Sequence, residues 1–187
     1  AGRASVQVYV NAPYTQFDKD NGLGKSAIAL MAYDKVELAK GEKKEVTIPV
    51  ERYFLTTYDY KVNKSYILEG GDYYFSVGNG AHEAVNNVLA VTNPSASLTD
   101  HLGNSVTGNT TAVAKVTIDE DLNTFKKSHY NDETVENQFD DADYNYFAGN
   151  NPIKYLTRED WNGSWPTKIT TNPAPSSAGD MSQYYKK

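Results

Sequence analysis

Apolar residues recur at alternate positions in several short stretches of the first 80 residues. Residues 4–10, ASVQVYV, place three valines on one side of an extended chain, with Gln7 and Tyr9 on the other. A period of two is typical of a half-buried β-strand. Residues 43–50, KKEVTIPV, repeat the pattern after a turn at residues 39–42, and Pro49 indicates a strand near a sheet edge or at its end.

Two further stretches complete the prediction for this part of the chain. Residues 27–38 fit a short helix or a strand, and Val36 with the following turn favours a strand for the second half. Residues 72–78 read as a strand after two glycines, whereas residues 11–26 are rich in turn formers and predict a loop. Residues 52–60 predict an irregular turn that carries aromatic rings into the core. About four strands at short spacing predict an all-β sandwich.

The pattern changes after Gly80. Residues 82–90 predict one or two helical turns, residues 92–111 a loop and residues 112–119 another strand. A short helix is expected to turn three side chains inward from the acidic stretch that follows: Leu122, Phe125 and Tyr130. We therefore expect a module at 1–91, an extension at 92–169 that packs on the module or on neighbouring domains, and a linker-like tail at 170–187.

Composition narrows the classes of function. The formal net charge is −6, so the phosphate backbone of a nucleic acid is an unsuitable partner. No apolar run approaches the ~20 residues that a membrane-spanning helix needs. The chain has no cysteine, which excludes a disulfide scaffold and thiolate chemistry. Tyrosine is abundant, with 15 copies, and suits both sheet packing and sugar-binding platforms.

Three segments together resemble a known family. VQVYVNAP, AYDKVELAKGEKKEVTIPV and YILEGGDYYFSVGNG, all within residues 4–80, are similar to the fibronectin type III-like module of glycoside hydrolase family 3. Tyr33 stands where that family usually has Phe. The resemblance implies a fibronectin type III or immunoglobulin-like sandwich that lacks its first strands, since two strands normally precede VQVYV in the family, and a long irregular extension follows.

The resemblance also implies a function. FDDADYNYF at 139–147 and YLTREDWNGSWP at 155–166 resemble a junction in family members whose sandwich domain and module precede the catalytic barrel. The chain is then a non-catalytic structural module of a β-glucosidase-like enzyme that hydrolyses terminal β-linked sugars. Its expected partners are the barrel and sandwich domains of the same enzyme, either in one polypeptide or as a separate chain, and no cofactor is expected.

The sequence contains only weak matches to catalytic and metal-binding motifs. The family's nucleophilic aspartate lies in an S-D-W motif, and Glu159-Asp160-Trp161 matches two of its three residues. Lys154 and Arg158 interrupt what would be a buried strand, so a capping role for Asp160 is favoured. Asp18 to Gly22 resembles a calcium loop, but its glycine comes one position early and no bidentate glutamate follows at the required distance. The three histidines lack zinc-site spacing.

Trp161 and Trp165 are the candidate carbohydrate-binding residues. Their indoles suit stacking on a sugar ring from a loop, while anchoring of the tail on a docking surface is the favoured alternative. A stand-alone carbohydrate-binding or surface-adhesion sandwich is the competing hypothesis for the whole chain. The sequence does not distinguish a cytoplasmic from a secreted protein.

Overall fold

The computed structural model describes residues 1–150 and 152–165, which fall into two compact units, Ala1–Ile153 and Lys154–Lys187. The strands of the first unit are β1 (Gly2–Asn11), β2 (Ala29–Leu38), β3 (Thr57–Asp59), β4 (Ser65–Ile67), β5 (Gly71–Val77) and β6 (Val113–Ile118). Its α-helices are α1 (Gln16–Asn21), α2 (Ala81–Thr92) and α3 (Tyr144–Phe147). Short 3₁₀ turns lie at Arg52–Leu55, Thr110–Ala112, Thr124–Lys126 and Asp140–Ala142. The described part of the second unit holds helix α4 (Trp161–Ser164).

The strands form a four-stranded antiparallel sheet and a small two-stranded one. The large sheet has the order β2-β1-β5-β6, and β3 pairs with β4 in the small sheet. Val8 lies opposite Val77, and Val10 lies opposite Phe75. The register with β2 shifts between Val8 and Tyr9, where β2 carries one extra residue. The predicted all-β sandwich is confirmed.

The core lies between one end of the large sheet and the small sheet. Its buried centre is Val10, Leu55, Leu68 and Tyr73. Phe125 packs against this centre from the extension, as the sequence predicted, and so does Ile118 at the end of β6. Tyr130, by contrast, was expected to face inward and is 80% exposed. It lies in the turn closed by the Lys127–Thr134 bridge, where its ring meets the edge of Tyr53 at 6.3 Å between centroids and otherwise remains exposed.

Helix α2 covers the opposite face of the large sheet. It packs against β5 and β1 and buries Ala84 and Val88. At twelve residues it is longer than the one or two turns predicted. Asn87 is 2% exposed and donates to the Val77 carbonyl at 3.2 Å, which satisfies a buried amide that would otherwise cost free energy.

The prediction of a loop over residues 11–26 was wrong at its centre, where α1 forms. Thr15 and Asp18 make a capping box, in which each side chain accepts from the other residue's backbone N–H. Gly22 ends the helix in the left-handed conformation, with φ of 64°. The Thr-x-x-Asp spacing was a helix-start signal that the surrounding turn formers obscured.

Segment 43–50 is extended but pairs with no strand. Val46, Ile48 and Val50 are half-buried and the residues between them are exposed, so the predicted alternation holds. None of these eight residues makes a backbone hydrogen bond to another described residue. Side-chain patterning alone, without a neighbouring edge, cannot complete a β-ladder.

Candidate docking surface

One half of an apolar sheet face lies uncovered in the first unit. Residues opposite each other in neighbouring strands share a face, so Val8, Val77, Tyr73 and Val116 belong to one surface. Tyr73 is buried, whereas Val77 and Val116 are 46% and 45% exposed. Val77 lies beside Val8 at one end of this surface, whereas Val116 lies opposite Tyr73 on the edge strand β6. We call the half of this surface formed by Val6, Val8 and Val77 the open face.

The open face continues towards segment 43–50. A cleft of about 460 Å³ lies between residues 34–37 of β2 and residues 44–47 of that segment. The segment thus offers half-buried apolar side chains beside unused backbone donors and acceptors. Both features suit the addition of further extended chain.

A buried ionic cluster ties the loop before β2 to the small sheet. The Lys25 ammonium bonds to the Asp18 carboxylate at 2.8 Å, to the Pro13 carbonyl at 3.0 Å and to the Glu69 carboxylate. The side chains of Lys25, Asp18 and Glu69 are 9%, 0% and 4% exposed. Because all three donors of the ammonium meet an acceptor, the cluster is a structural tie, and Asp18 serves it rather than a calcium loop.

Burial also perturbs the tyrosine beside this cluster. Desolvation raises the pKa of Tyr73 to about 12, and the negative charge of Asp18 adds to the effect. Its hydroxyl donates to the Glu69 carbonyl at 2.9 Å. Tyr73 therefore keeps its proton near neutral pH, and its role is to pack in the core and donate this hydrogen bond.

The described residues hold no group of three or more His, Asp or Glu side chains placed to bind a metal ion. His82 and His101 line a cleft beside α2, whereas His129 stacks on Tyr53 with the ring centroids 5.0 Å apart. The acidic residues Asp119, Glu120 and Asp121 follow β6, and Asp121 accepts hydrogen bonds from the backbone of Asn123 and Thr124. Within the described residues no helix is long and apolar enough to cross a membrane.

In the second unit, Asp160 is the N-cap residue of helix α4. Its carboxylate accepts from the Gly163 N–H at 2.9 Å and pairs with Lys154 at 2.5 Å. The hydrogen bond from Lys154 is the main cause that lowers the pKa of Asp160. The side chain is about half exposed, so a carboxylate with this environment is a helix cap.

The two tryptophans of this unit lie side by side. Their ring centroids are 5.0 Å apart, and the indoles are 53% and 50% exposed. Ser164 fixes the turn between them, since its hydroxyl donates to the Asp160 carbonyl at 2.5 Å and accepts from the Thr157 N–H. Tyr155 and Leu156, in the same segment, are each 47% exposed. The segment therefore presents a broad apolar surface, of which the indole pair is one part. The predicted tail at 170–187 lies outside the described residues, as do residues 166–169.

Comparison with known proteins identifies the module. The fibronectin type III-like domain family matches residues 4–81. This segment is a fibronectin type III-like module, and the recognition made from its strand motifs is confirmed. A comparison with curated protein sequences gives no match.

Several solved structures that resemble the chain are β-glucosidases. β-Glucosidase 3B from Thermotoga neapolitana has a TM-score of 0.39 at 16% identity over 65% of this chain and 12% of its own. The GH3 β-glucosidase from Bifidobacterium adolescentis has a TM-score of 0.43 at 19% identity over 72% and 16%. A β-glucosidase from Paenibacillus barengoltzii has a TM-score of 0.34 at 32% identity over 42% and 8%. The chain thus spans less than a fifth of the length of each enzyme.

Proposed function

We propose that this chain is a non-catalytic structural module of a glycoside hydrolase family 3 β-glycosidase, which hydrolyses terminal β-linked sugars. The module packs against the catalytic barrel and sandwich domains and holds their shared cleft in register. Small displacements of catalytic groups cost large factors in rate, so a rigid brace has a direct effect on turnover.

The open face is the observation that carries this proposal. A sheet of a sandwich needs a second layer over its apolar side, and here the small sheet covers only one end of that side. Burial of apolar surface contributes roughly 25 cal/mol per Å², so half-exposed valines beside an unpaired extended segment favour a protein partner.

The match of residues 4–81 to a fibronectin type III-like domain is compatible with a docking role. The exposed surface at 155–165, within the second unit, supports a second anchoring point. It presents large apolar side chains, including Trp161 and Trp165, at a place where the candidate aspartate serves as a cap.

A binding experiment tests the docking role. The full chain, tagged, is incubated with the separately produced barrel and sandwich domains of the parent enzyme, and complex formation is measured by calorimetry. Val77→Asp places a charge on the open face, and we expect the affinity to fall at least tenfold. Val62→Asp is the matched control, because Val62 is 61% exposed in a turn outside that face.

The results that contradict this role are specific. Equal affinity for V77D and wild type would remove the open face from the interface. Turnover of an aryl β-glucoside by the chain alone, lost in Asp160→Asn, would make the chain an enzyme in its own right. We expect no turnover from the chain alone.

The competing function is carbohydrate binding through the indole pair. The exposure of the two indoles is the observation that favours this function. Retardation of the full chain on a cellulose or β-glucan affinity gel, lost in the double variant Trp161→Ala/Trp165→Ala, would support it. Loss of affinity for the catalytic domains in the same variant, with unchanged mobility on the gel, would assign the pair to anchoring.

A further inference from the structure

A second cleft lies on the far side of the sheet, between helix α2 and the loop at residues 98–108. Its volume is about 360 Å³, within the range of small-molecule sites. The family match ends at residue 81, and the residues that line the cleft lie between 82 and 107. The cleft is therefore outside the family match. It also lies on the face that α2 covers, away from the open face.

The walls of this cleft are held in place by close packing. A Cβ on Gly108 would come within 2.5 Å of the Asn86 carbonyl oxygen and 2.7 Å of the Ala90 Cβ, so the loop lies directly on the helix. The backbone N–H of Asn109 donates to the buried side chain of Asn87 at 2.7 Å. The loop is further closed by hydrogen bonds from Val106 to Leu98 and from Asp100 to Asn104.

Part of the polar lining is used by this scaffold. His82 Nε2 lies 2.6 Å from the Thr99 carbonyl oxygen, and the Asn86 side chain donates to the same oxygen at 2.8 Å. A carbonyl oxygen only accepts, so Nε2 carries the proton and Nδ1 is left as an acceptor in the neutral ring. Glu83 accepts from Asn79 with one of its two oxygens.

Other polar groups in the lining have no hydrogen bond to the described residues. These are the Thr107 hydroxyl, the His101 ring and the side-chain oxygen of Asn86. Asn86 is only 7% exposed, so its oxygen faces the cleft from a nearly buried position. The lining thus offers both donor and acceptor groups that are unused within the described residues, and Val106 adds an apolar patch.

We propose that this cleft binds a neutral carbohydrate, one or two pyranose rings in size. A sugar hydroxyl both donates and accepts, which matches a mixed lining that has both capacities unused. Glu83 and Asp100 disfavour an anion such as phosphate, and the described residues contain no metal-binding group here. The inference stands apart from the docking role, because the two surfaces lie on opposite faces of the sheet.

A titration of the ¹⁵N-labelled full chain, followed by NMR, tests this site. The probes are D-glucose and cellobiose, with inorganic phosphate as the ligand control. We expect millimolar affinity for a sugar, shifts confined to α2 and residues 98–108, and no shift with phosphate. Thr107→Val and His101→Ala, both exposed positions whose change leaves the core intact, should each weaken binding at least fivefold.

Thr47→Val is the matched control, since Thr47 is an exposed threonine outside the cleft, and this variant should bind like wild type. Absence of shifts with both sugars at 100 mM would overturn the proposal, as would equal affinity in wild type and T107V. Shifts centred on Trp161 and Trp165 would place sugar binding at the indole pair instead and equally overturn it. None of these results depends on whether the open face binds the catalytic domains.

Discussion

At the scale of single residues, buried charges decide stability more strongly than the exposed ion pairs do. Lys25, Asp18 and Glu69 lie almost entirely inside the first unit, whereas Lys115 and Asp72 pair at 3.1 Å with side chains 53% and 39% exposed. Removal of one member of a buried group leaves an uncompensated charge, while an exposed pair is weakened by water and salt.

Lys25→Met therefore tests the structural tie. It leaves two carboxylates buried without their cation, and we expect the free energy of unfolding to fall by about 3–5 kcal/mol. Lys115→Met removes one partner of an exposed pair, which water and salt already weaken, and should leave the free energy of unfolding close to that of wild type. Urea denaturation followed by circular dichroism measures both. Similar losses in the two variants would show that the ionic cluster is hydrated and carries no special weight.

Asp59 is a second residue-scale feature, at the turn between β3 and β4. Burial by itself would raise the pKa of this carboxyl, but hydrogen bonds from Val62, Asn63 and Lys61 outweigh burial and hold it below the ordinary 3.8. The donors lie 2.8–3.0 Å from its oxygens. Only the charged form accepts all four hydrogen bonds.

The sign of the pH effect follows from that lowered pKa. The folded state binds the proton of Asp59 less readily than the unfolded chain, so the stabilisation is fully present above pH 3.8 and declines as pH falls further. We expect Asp59→Asn to lower stability by about 1–3 kcal/mol at pH 7, because the amide loses acceptor capacity. In thermal melts the gap to wild type should narrow at pH 2.5; a constant gap would contradict this account.

At the scale of elements, the chain holds one extended segment that behaves unlike its neighbours. β1 pairs with both β2 and β5, so its central amides are enclosed by a sheet on either side. Segment 43–50 has the same alternation of side chains and no paired backbone among the described residues. The two segments share the alternation of side chains, but only β1 has neighbouring strands that pair with its backbone.

Hydrogen exchange measured by mass spectrometry distinguishes them. In the chain alone, amides of residues 44–50 should exchange at least a hundredfold faster than those of residues 7–10, because only the latter are hydrogen-bonded. Addition of the catalytic domains should slow exchange at 44–50. Strong protection of 44–50 in the isolated chain would mean that the segment already has a partner strand.

At the scale of the whole molecule, the folded unit is larger than the family match. β6 pairs with β5 over six residues, Leu68 bonds to Asp121 in both directions, and Phe125 packs on the core. Residues beyond 91 therefore supply the fourth strand of the large sheet and part of the core. The module boundary at residue 91 remains a prediction, and the pairing of β5 with β6 crosses that boundary.

Truncation measures how far the unit extends. A chain of residues 1–91 loses β6 and exposes the edge of β5, so we expect no cooperative thermal transition. A chain of residues 1–150 keeps these contacts and should melt within a few degrees of the full chain. A cooperative transition in the 1–91 chain would show instead that the extension is dispensable for folding.

The sequence by itself determined which side chains face which way. Alternation at 4–10 and 72–78 predicted two strands that the structure contains, and the strand at 112–119 matches β6 to within a residue or two at each end. Successive side chains of a strand point to opposite faces, so the alternation of apolar and polar residues can be read directly from the sequence. Phe125 was predicted to face inward from a short helix, and it packs against the core from a 3₁₀ turn.

Only the tertiary structure decided which of these elements pair and which face stays open. Segment 43–50 has the pattern of a strand and no partner, while Lys25, Asp18 and Glu69 meet across more than forty residues of chain. The cleft beside α2 likewise arises from a loop folded back through Gly108. Pairing, ionic contact and cavities are relations between distant residues, and their free energy depends on geometry that no local pattern encodes.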